Sequence, residues 1–174
     1  MSRRWVISDT HFGHRKIIEM TSRPFSNIDS MDRHIIERWN TTVKEKDRIY
    51  ILGDFALCGR ERIQDLLYKL NGQKHLIMGN HDKHKTPTWW RECGFDEVSK
   101  YPIIIDGFVI LSHEPFLPIW NSDYFVNIHG HIHNNDLDKF NFFNAGVEVV
   151  NYTPVNLDKV IQGYRQTGYG GVNE

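Results

Sequence analysis

The chain has 174 residues, of which 40% are hydrophobic and 25% are charged, with a formal net charge of −1 at pH 7. This length suits one well-buried core, so we expect a single domain over 1–174 in which 168–174 form a flexible tail. The near-zero charge argues against strong non-specific attraction to nucleic acid or membrane, and two cysteines without a CxxC pattern argue against a disulfide framework.

The first half of the chain predicts strands that alternate with helices. Short apolar runs at 5–8, 48–52 and 74–78 are typical of buried strands, and a polar residue or a glycine follows each of them. A helix should begin near Ser30, because apolar residues recur at every fourth position up to Val43, and a second helix should cover 61–70. This order predicts a βαβαβ unit with parallel strands.

The second half of the chain predicts antiparallel pairing as well. Runs at 101–105 and 108–111 flank Asp106-Gly107, a strong signal for a two-residue hairpin turn. Further expected elements are strands at 125–129 and 141–145 and a final helix, capped by Asn156 or Asp158, that ends near 165. Mixed strands with helices outside indicate two packed sheets. Because no apolar stretch approaches the about 18 residues of a membrane span and the start lacks a signal-peptide core, we expect a cytoplasmic protein without a membrane partner.

Five polar clusters follow apolar runs, and five of the ten histidines lie in them. The clusters are Asp9-x-His11, Gly53-Asp54, Gly79-Asn80-His81-Asp82, Ser112-His113 and Gly130-His131-x-His133. Loops that follow neighbouring strands converge beyond the carboxyl ends of a sheet, where ligands gather. The Asp, Asn and His side chains are about the set needed to hold two divalent cations that share a carboxylate.

The spacing within the clusters predicts chelation. Asp9 and His11 are two residues apart, as are His131 and His133, and an extended backbone would point both members of each pair the same way. The glycines that precede three of the predicted ligands should permit the backbone angles of sharp turns. Two divalent cations bring about four positive charges and two aspartates cancel about half of them, so the site should attract an anion such as phosphate.

Taken together, the clusters from Asp9 to His133 resemble those of the calcineurin-like metallophosphoesterases. The resemblance implies an α/β fold, an αββα sandwich of two mixed β-sheets flanked by helices. It also implies two divalent transition-metal ions, with manganese as the first choice and iron, zinc, nickel or cobalt as alternatives. The segments 8–14 and 151–155 are similar to those of small single-domain phosphoesterases common in bacteria and phages.

The resemblance also implies a role for each residue in the clusters. One metal would be held by four side chains, those of Asp9, His11, Asp54 and His133. Asp54 would also bridge to the second metal, whose site three further side chains would complete, those of Asn80, His113 and His131. His81 matches the histidine that stabilises the transition state and protonates the leaving oxygen, so it is the predicted catalytic residue.

The chain departs from the pattern of the protein Ser/Thr phosphatases of this superfamily. Those enzymes carry an Asp shortly after the bridging one and an Arg-Gly just beyond, where this chain has Leu57 and Cys58-Gly59. Without that carboxylate, His81 should be a less well supported acid. We therefore predict a phosphodiesterase that hydrolyses small or nucleotide-like diesters by attack of a metal-bridging hydroxide. The alternatives are a phosphomonoesterase or a nuclease on the same site, or a non-catalytic protein-binding scaffold.

Residues beside the clusters are candidates for substrate contact. His14, Arg15 and Lys83 flank the ligand loops and could bind a substrate phosphate, with loop packing and solvated surface charge as the alternatives. Asp82 is expected to be a turn carboxylate that orients its loop. The expected partner is a small-molecule phosphoester, with nucleic acid less favoured, and the expected state is a monomer or a small homo-oligomer.

Overall fold

Two β-sheets form the centre of the structure, a computed structural model that describes residues 2–170. The strands are β1 (Arg4–Ile7), β2 (Arg48–Ile51), β3 (Gln73–Ile77), β4 (Glu97–Ser99), β5 (Ile103–Ile105), β6 (Val109–Leu111), β7 (Val126–His129), β8 (Phe142–Asn144) and β9 (Val155–Asn156). The helices are α1 (Ile17–Met20), α2 (Ile28–Thr42), α3 (Arg60–Lys69), α4 (Pro87–Cys93) and α5 (Leu157–Gln166).

Both sheets mix parallel and antiparallel strands. The first sheet has the order β4-β3-β2-β1-β9, in which β1 to β4 are parallel and β9 runs antiparallel to β1. The second has the order β5-β6-β7-β8, in which β5 and β6 form the predicted hairpin and β6, β7 and β8 are parallel. The predicted βαβαβ unit and the α/β architecture of two mixed sheets with flanking helices are therefore confirmed.

Alternation along β1 explains why the first sheet is buried on both faces. Trp5 and Ile7 pack in a core with apolar residues of α2, α3 and α4, whereas Val6 packs in a second core with strands of the other sheet. Helix α2 begins after Asn27, whose side chain accepts a hydrogen bond from the backbone N–H of Ser30, and it buries the predicted apolar stripe. Strand β1 therefore presents apolar residues to both faces, as is usual for a strand within a covered parallel sheet.

Four elements have no counterpart in the sequence-based prediction. They are α1, α4, β4 and β9, and none of them is longer than seven residues. So few residues leave no periodic pattern that separates a helix or a strand from a loop. Helix α4 begins after Thr86, whose hydroxyl accepts a hydrogen bond from Trp89 N, and Pro87 is the first residue of the helix.

The segment after α5 packs on the domain as far as residue 170. The ring of Tyr169 lies 5.9 Å from that of Phe140 and 5.8 Å from that of Tyr164, measured between centroids. The expected tail over 168–174 therefore includes packed residues, and residues 171–174 lie outside the described part of the chain. Across residues 2–170, no helix has both the length and the apolar character needed to cross a membrane.

Candidate metal centre

The predicted ligands lie in loops that follow strands at one end of both sheets. Asp9 follows β1, Asp54 follows β2 and Asn80 follows β3, and the parallel register of these strands brings the three loops together. The other sheet contributes the residues that follow β6 and β7, which are His113, His131 and His133. Parallel strands end at a common edge, so these six residues and His11, which also follows β1, meet at one rim of the molecule.

Asp9, His11 and His133 form the first group of donor atoms. One ligand atom from each lies within 4.8 Å of the other two. Asp9 Oδ1 and His11 Nε2 are 4.0 Å apart, and the rings of His11 and His133 stack with their centroids 5.4 Å apart. Asp9 and His11 are buried, whereas the side chain of His133 is 22% exposed.

Asn80, His113 and His131 form a second group with tighter spacing. Asn80 Oδ1 lies 2.8 Å from His113 Nε2 and 3.2 Å from His131 Nδ1, and these two nitrogen atoms are 3.1 Å apart. Metal–ligand bonds of about 2.1 Å at octahedral or tetrahedral angles separate donor atoms by about 3.0–3.4 Å. The second group therefore has nearly the spacing that a single cation requires.

The Asp54 carboxylate lies between the two groups. Its Oδ2 atom is 3.6 Å from Nε2 of His11 in the first group and 3.6 Å from Nε2 of His113 in the second. Asp9, Asp54 and His113 also bring one ligand atom each within 4.8 Å of one another. A carboxylate oxygen at the same distance from a histidine of each group could serve as a ligand shared by two cations.

Buried donor atoms without partners test whether the first group fits a cation. Among the residues that the structure describes, Asp9 Oδ1 and His11 Nε2 are buried and lack a hydrogen-bond partner. Burial raises the pKa of Asp9, and burial together with the charge of Arg23 lowers the pKa of His11 to about 2, so this imidazole is neutral, as a metal ligand must be. An unpaired buried polar atom costs about 1–3 kcal/mol. The residues present therefore fit a divalent metal, which would remove this cost.

The backbone of the ligand pairs differs from the extended form that their spacing predicted. The angle φ is +56° at Asp9, +49° at His11, +70° at His131 and +51° at His133. All four residues are in the left-handed region, which costs a non-glycine residue about 1–3 kcal/mol and is enriched at functional sites. The extended-backbone prediction is therefore wrong. Both members of each pair reach the centre because the loop turns sharply at each of them.

Glycine is required in three ligand loops for two different reasons. Gly53 has a φ of +83°, as expected for a sharp turn. Gly79 and Gly130 do not have a positive φ. They provide room instead, because a Cβ on Gly79 would collide with the Asp54 carboxylate and a Cβ on Gly130 would collide with Asp9 Oδ2. The loop backbone thus packs directly against the two ligand carboxylates.

Asp82 joins backbone segments of two ligand loops. Its carboxylate is buried and accepts hydrogen bonds from the backbone N–H groups of Asp54 at 2.7 Å, Gly79 at 2.8 Å and Phe55 at 3.2 Å. Burial raises the pKa of Asp82 to about 6, although the N–H donor of Gly79 opposes that rise. These contacts agree with the interpretation of Asp82 as a carboxylate that orients its loop.

His81 lies on the open side of the centre. Its backbone N–H donates to Asp54 Oδ1 at 3.0 Å, and its Nε2 atom is 3.9 Å from Asp54 Oδ2. The His81 side chain is 39% exposed, compared with 3% for Asp54 and 2% for His11. Asp54 is the closest carboxylate to this ring within residues 2–170, and it is beyond hydrogen-bonding distance. The partly exposed His81 ring therefore lies beside Asp54 and beside His11 of the first donor group, with its centroid 5.4 Å from that of His11.

A buried ion pair that the sequence did not reveal supports the first donor group. Arg23 Nη2 lies 2.7 Å from Glu148 Oε1, and the same oxygen lies 3.1 Å from His133 Nδ1. Arg23 also donates to the backbone carbonyls of Asp9 at 2.8 Å and Thr10 at 3.1 Å. Burial would raise the pKa of Glu148, but His133 and Arg23 outweigh it and lower that pKa to about 2. The contact at Nδ1 leaves Nε2 of His133 for a metal.

Replacing Glu148 with glutamine should weaken both folding and metal binding. The change leaves the Arg23 guanidinium buried without its counter-charge, which should cost about 3–5 kcal/mol. Loss of the carboxylate behind His133 should lower metal affinity by about 10–100-fold. Urea denaturation in EDTA and a manganese titration measure the two effects. The matched control Glu92→Gln breaks an exposed pair with Arg60 and should cost less than about 1 kcal/mol, so equal effects of the two variants would contradict this role.

The three predicted substrate-contact residues differ in their surroundings. His14 is partly buried, with its Nδ1 atom 3.2 Å from His11 Nδ1 and its ring centroid 6.1 Å from that of His81. Burial and the charge of a protonated His81 would lower the pKa of His14. Arg15 and Lys83 are exposed. His14 thus contacts a predicted ligand, whereas the two basic residues lie at the surface.

Comparison with known proteins identifies the family. The sequence model of the calcineurin-like phosphoesterases matches residues 2–163. The chain is 38% identical to an uncharacterized protein of Methanocaldococcus jannaschii, over 93% of this chain and 91% of that protein. It is 32% identical to the gene 66 protein of Mycobacterium phage D29, over 67% of this chain and 66% of the phage protein. The chain therefore belongs to the calcineurin-like phosphoesterase family.

A solved structure shares this fold. The crystal structure of a protein of unknown function from Aquifex aeolicus matches with a TM-score of 0.74 at 25% identity, and the match covers 93% of this chain and 99% of that one. The family resemblance inferred from the polar clusters is thus confirmed, and a phage protein is among the relatives. Membership supports metal-dependent hydrolysis of phosphoesters in general, with divalent metals held by residues such as those described above.

Proposed function

We propose that this protein is a phosphodiesterase that hydrolyses small or nucleotide-like phosphodiesters, with two divalent cations and with His81 as the general acid. The observation that carries this proposal is the position of Asp54 Oδ2, which lies 3.6 Å from a histidine nitrogen of each donor group. Two donor groups joined by one carboxylate suit two cations that act on the same phosphate. Manganese is the first choice of metal, with iron, zinc, nickel or cobalt as alternatives.

The charge of the centre favours an anionic substrate. Asp9 and Asp54 supply about two negative charges against about four positive charges from two divalent cations, because the histidine and asparagine ligands are neutral. Bound cations would stabilise charge on the phosphoryl oxygens and lower the pKa of water towards about 7. The protein's own contribution would be to hold the seven donors around the cations and to leave a net positive charge that attracts the phosphate.

His81 would protonate the leaving oxygen. It is 39% exposed beside the buried Asp54, so it borders the space in which a substrate would bind. In the described part of the chain, the His81 ring lacks a carboxylate partner at hydrogen-bonding distance, which would stabilise its protonated form. An acid of this kind suits esters whose leaving oxygen needs limited assistance, which favours a phosphodiesterase over a protein phosphatase.

Three further residues are proposed to contact the substrate. His14, with its ring 6.1 Å from that of His81, would contact an oxygen of the reacting phosphate. Arg15 and Lys83 are exposed and would contact more distant parts of a larger substrate. A small-molecule phosphoester is the proposed partner. A cytoplasmic location and a monomeric or small homo-oligomeric state remain predictions from the sequence.

Hydrolysis of model esters tests the proposed function. Protein stripped with EDTA and reloaded with manganese should hydrolyse bis(p-nitrophenyl) phosphate faster than p-nitrophenyl phosphate, and EDTA should abolish both activities. Parallel assays with iron, zinc, nickel, cobalt and magnesium identify the preferred metal. Faster turnover of the monoester would indicate a phosphomonoesterase, and salt-sensitive binding and cleavage of long DNA or RNA would indicate a nuclease. Absence of turnover with every metal would contradict catalysis and favour the scaffold alternative.

A further inference from the structure

A pocket of about 240 Å³ opens beside the second donor group, between the ends of the two sheets. Its walls come from the segments that follow β3, β4 and β6. His113 belongs to both sites, because it lines the pocket and its Nε2 atom lies 2.8 Å from Asn80 Oδ1 in the second donor group. A group attached to a phosphate at the metal centre could therefore extend into this pocket.

The pocket combines aromatic rings with positive charge. Tyr101 is 69% exposed and Phe116 is 37% exposed, so both rings offer free surface to a ligand. Lys83 and Lys100 line the same pocket together with Glu114, which leaves a net positive charge. Lys83 Nζ is 3.8 Å from Glu114 Oε1 in an exposed ion pair, so an anion would compete with Glu114 for Lys83. Lys100 Nζ lies over one face of the Tyr101 ring, 5.5 Å from its centroid, where it could also reach an anion beside the ring.

We propose that this pocket binds a nucleotide portion of the substrate, and that the substrate carries a second phosphate beside the one that reacts. This inference rests on the proposed function and names the substrate class of the same centre. Tyr101 and Phe116 would stack on the base, because every base has a π-face. Lys83 and Lys100 would bind the second phosphate.

The pocket is large enough for only part of a nucleotide-containing substrate. Its volume of about 240 Å³ is below the about 300–1,000 Å³ that is usual for pockets that enclose a whole drug-sized ligand. The rest of the diester would therefore lie outside the pocket, on the metal centre and in solvent. The substrate class that fits this division is an ester of a nucleoside diphosphate.

Binding of ADP, which has one base and two phosphates, tests the pocket directly. Calorimetry should show that the Kd rises at least about fivefold in Tyr101→Ala. In Lys100→Gln the Kd for ADP should rise at least about twofold, and it should depend less on salt concentration than the Kd of the parent protein does. The matched controls are Tyr68→Ala, at a side chain that is 93% exposed on α3, and Lys46→Gln, at an exposed residue before β2, and both should leave the Kd unchanged. The difference in Kd between the pocket variants and the control variants should persist in EDTA, because the pocket itself needs no cation.

Hydrolysis of two esters separates this inference from the proposed function. The p-nitrophenyl ester of ADP has the second phosphate that the corresponding ester of AMP lacks, so the ADP ester should have the lower KM. In Lys100→Gln, the KM values of the two esters should lie closer together. If ADP bound the pocket variants and the control variants equally, the pocket assignment would fail even though bis(p-nitrophenyl) phosphate was hydrolysed. If the pocket variants lost ADP affinity but no diester was hydrolysed, the nucleotide site would stand and the proposed function would fail.

Discussion

Replacing Asp54 with alanine should remove both metals and abolish phosphoester turnover. Its Oδ2 atom lies 3.6 Å from a histidine nitrogen of each donor group, so the change takes one ligand from both groups at once. It also leaves the Asp9 carboxylate as the sole negatively charged ligand for two divalent cations, so less of their mutual repulsion is screened. Elemental analysis after dialysis against manganese should fall from about two ions per chain to almost none.

Two further variants separate loss of metal from loss of folding. Asp54→Asn retains an oxygen that can accept the His81 N–H, which lies 3.0 Å away in the parent, but it removes the charge that binds metal. Asp65 is an exposed aspartate on α3, and Asp65→Ala should leave metal content and rate unchanged. All three proteins should unfold at similar temperatures in EDTA. Near-normal activity of Asp54→Ala would show that the bridging assignment is mistaken.

Replacing His81 with alanine should retain both metals and lower kcat by about 10²–10⁴. The ring nitrogen of His81 is 3.9 Å from Asp54 Oδ2, and its side chain is 39% exposed, so it borders the metal centre and remains accessible to substrate. An alkyl leaving group needs a proton more than p-nitrophenolate does. The loss of rate should therefore be larger for a methyl ester than for a p-nitrophenyl ester of the same phosphate.

The control for this variant is His84→Ala, at an exposed histidine in the segment that follows His81. It should leave metal content and both rates near those of the parent protein. Loss of metal in His81→Ala would show that the residue is a ligand rather than an acid. Equal loss of rate on the two leaving groups would show that His81 does not supply the proton.

Much of the fold was predictable because buried strands and amphipathic helices are local patterns. The runs at 48–52 and 74–78 correspond to β2 and β3, since a parallel strand buried on both faces is rich in apolar residues, such as Ile49 and Ile51 of β2. The stripe from Met31 to Val43 corresponds to α2 for a similarly local reason. The shortest elements, such as β9 with two residues, depend on pairing with a distant strand and have no such pattern.

The predicted ligands were identified from the same local patterns, but the backbone geometry that brings them together could not be predicted from those patterns. Asp9 and Asp54 are recognisable because each follows an apolar run, and adjacent parallel strands bring such residues to one edge. The positive φ values at Asp9 and His11 contradict the extended backbone that their spacing suggested. Those values depend on hydrogen bonds between loops, such as that from His11 N to the Asp54 carbonyl at 2.9 Å.

The amino-acid sequence by itself indicated most of the strands, the family and the candidate metal ligands, because these follow from short apolar runs and the polar residues after them. The tertiary structure alone decided which distant residues support them. Arg23 and Glu148 are 125 positions apart, yet they form a buried ion pair behind His133. The pocket that Tyr101 and Phe116 line exists because the loops of two sheets meet. Contacts between residues so far apart leave no periodic pattern in the chain, so only the packing of the two sheets defines them.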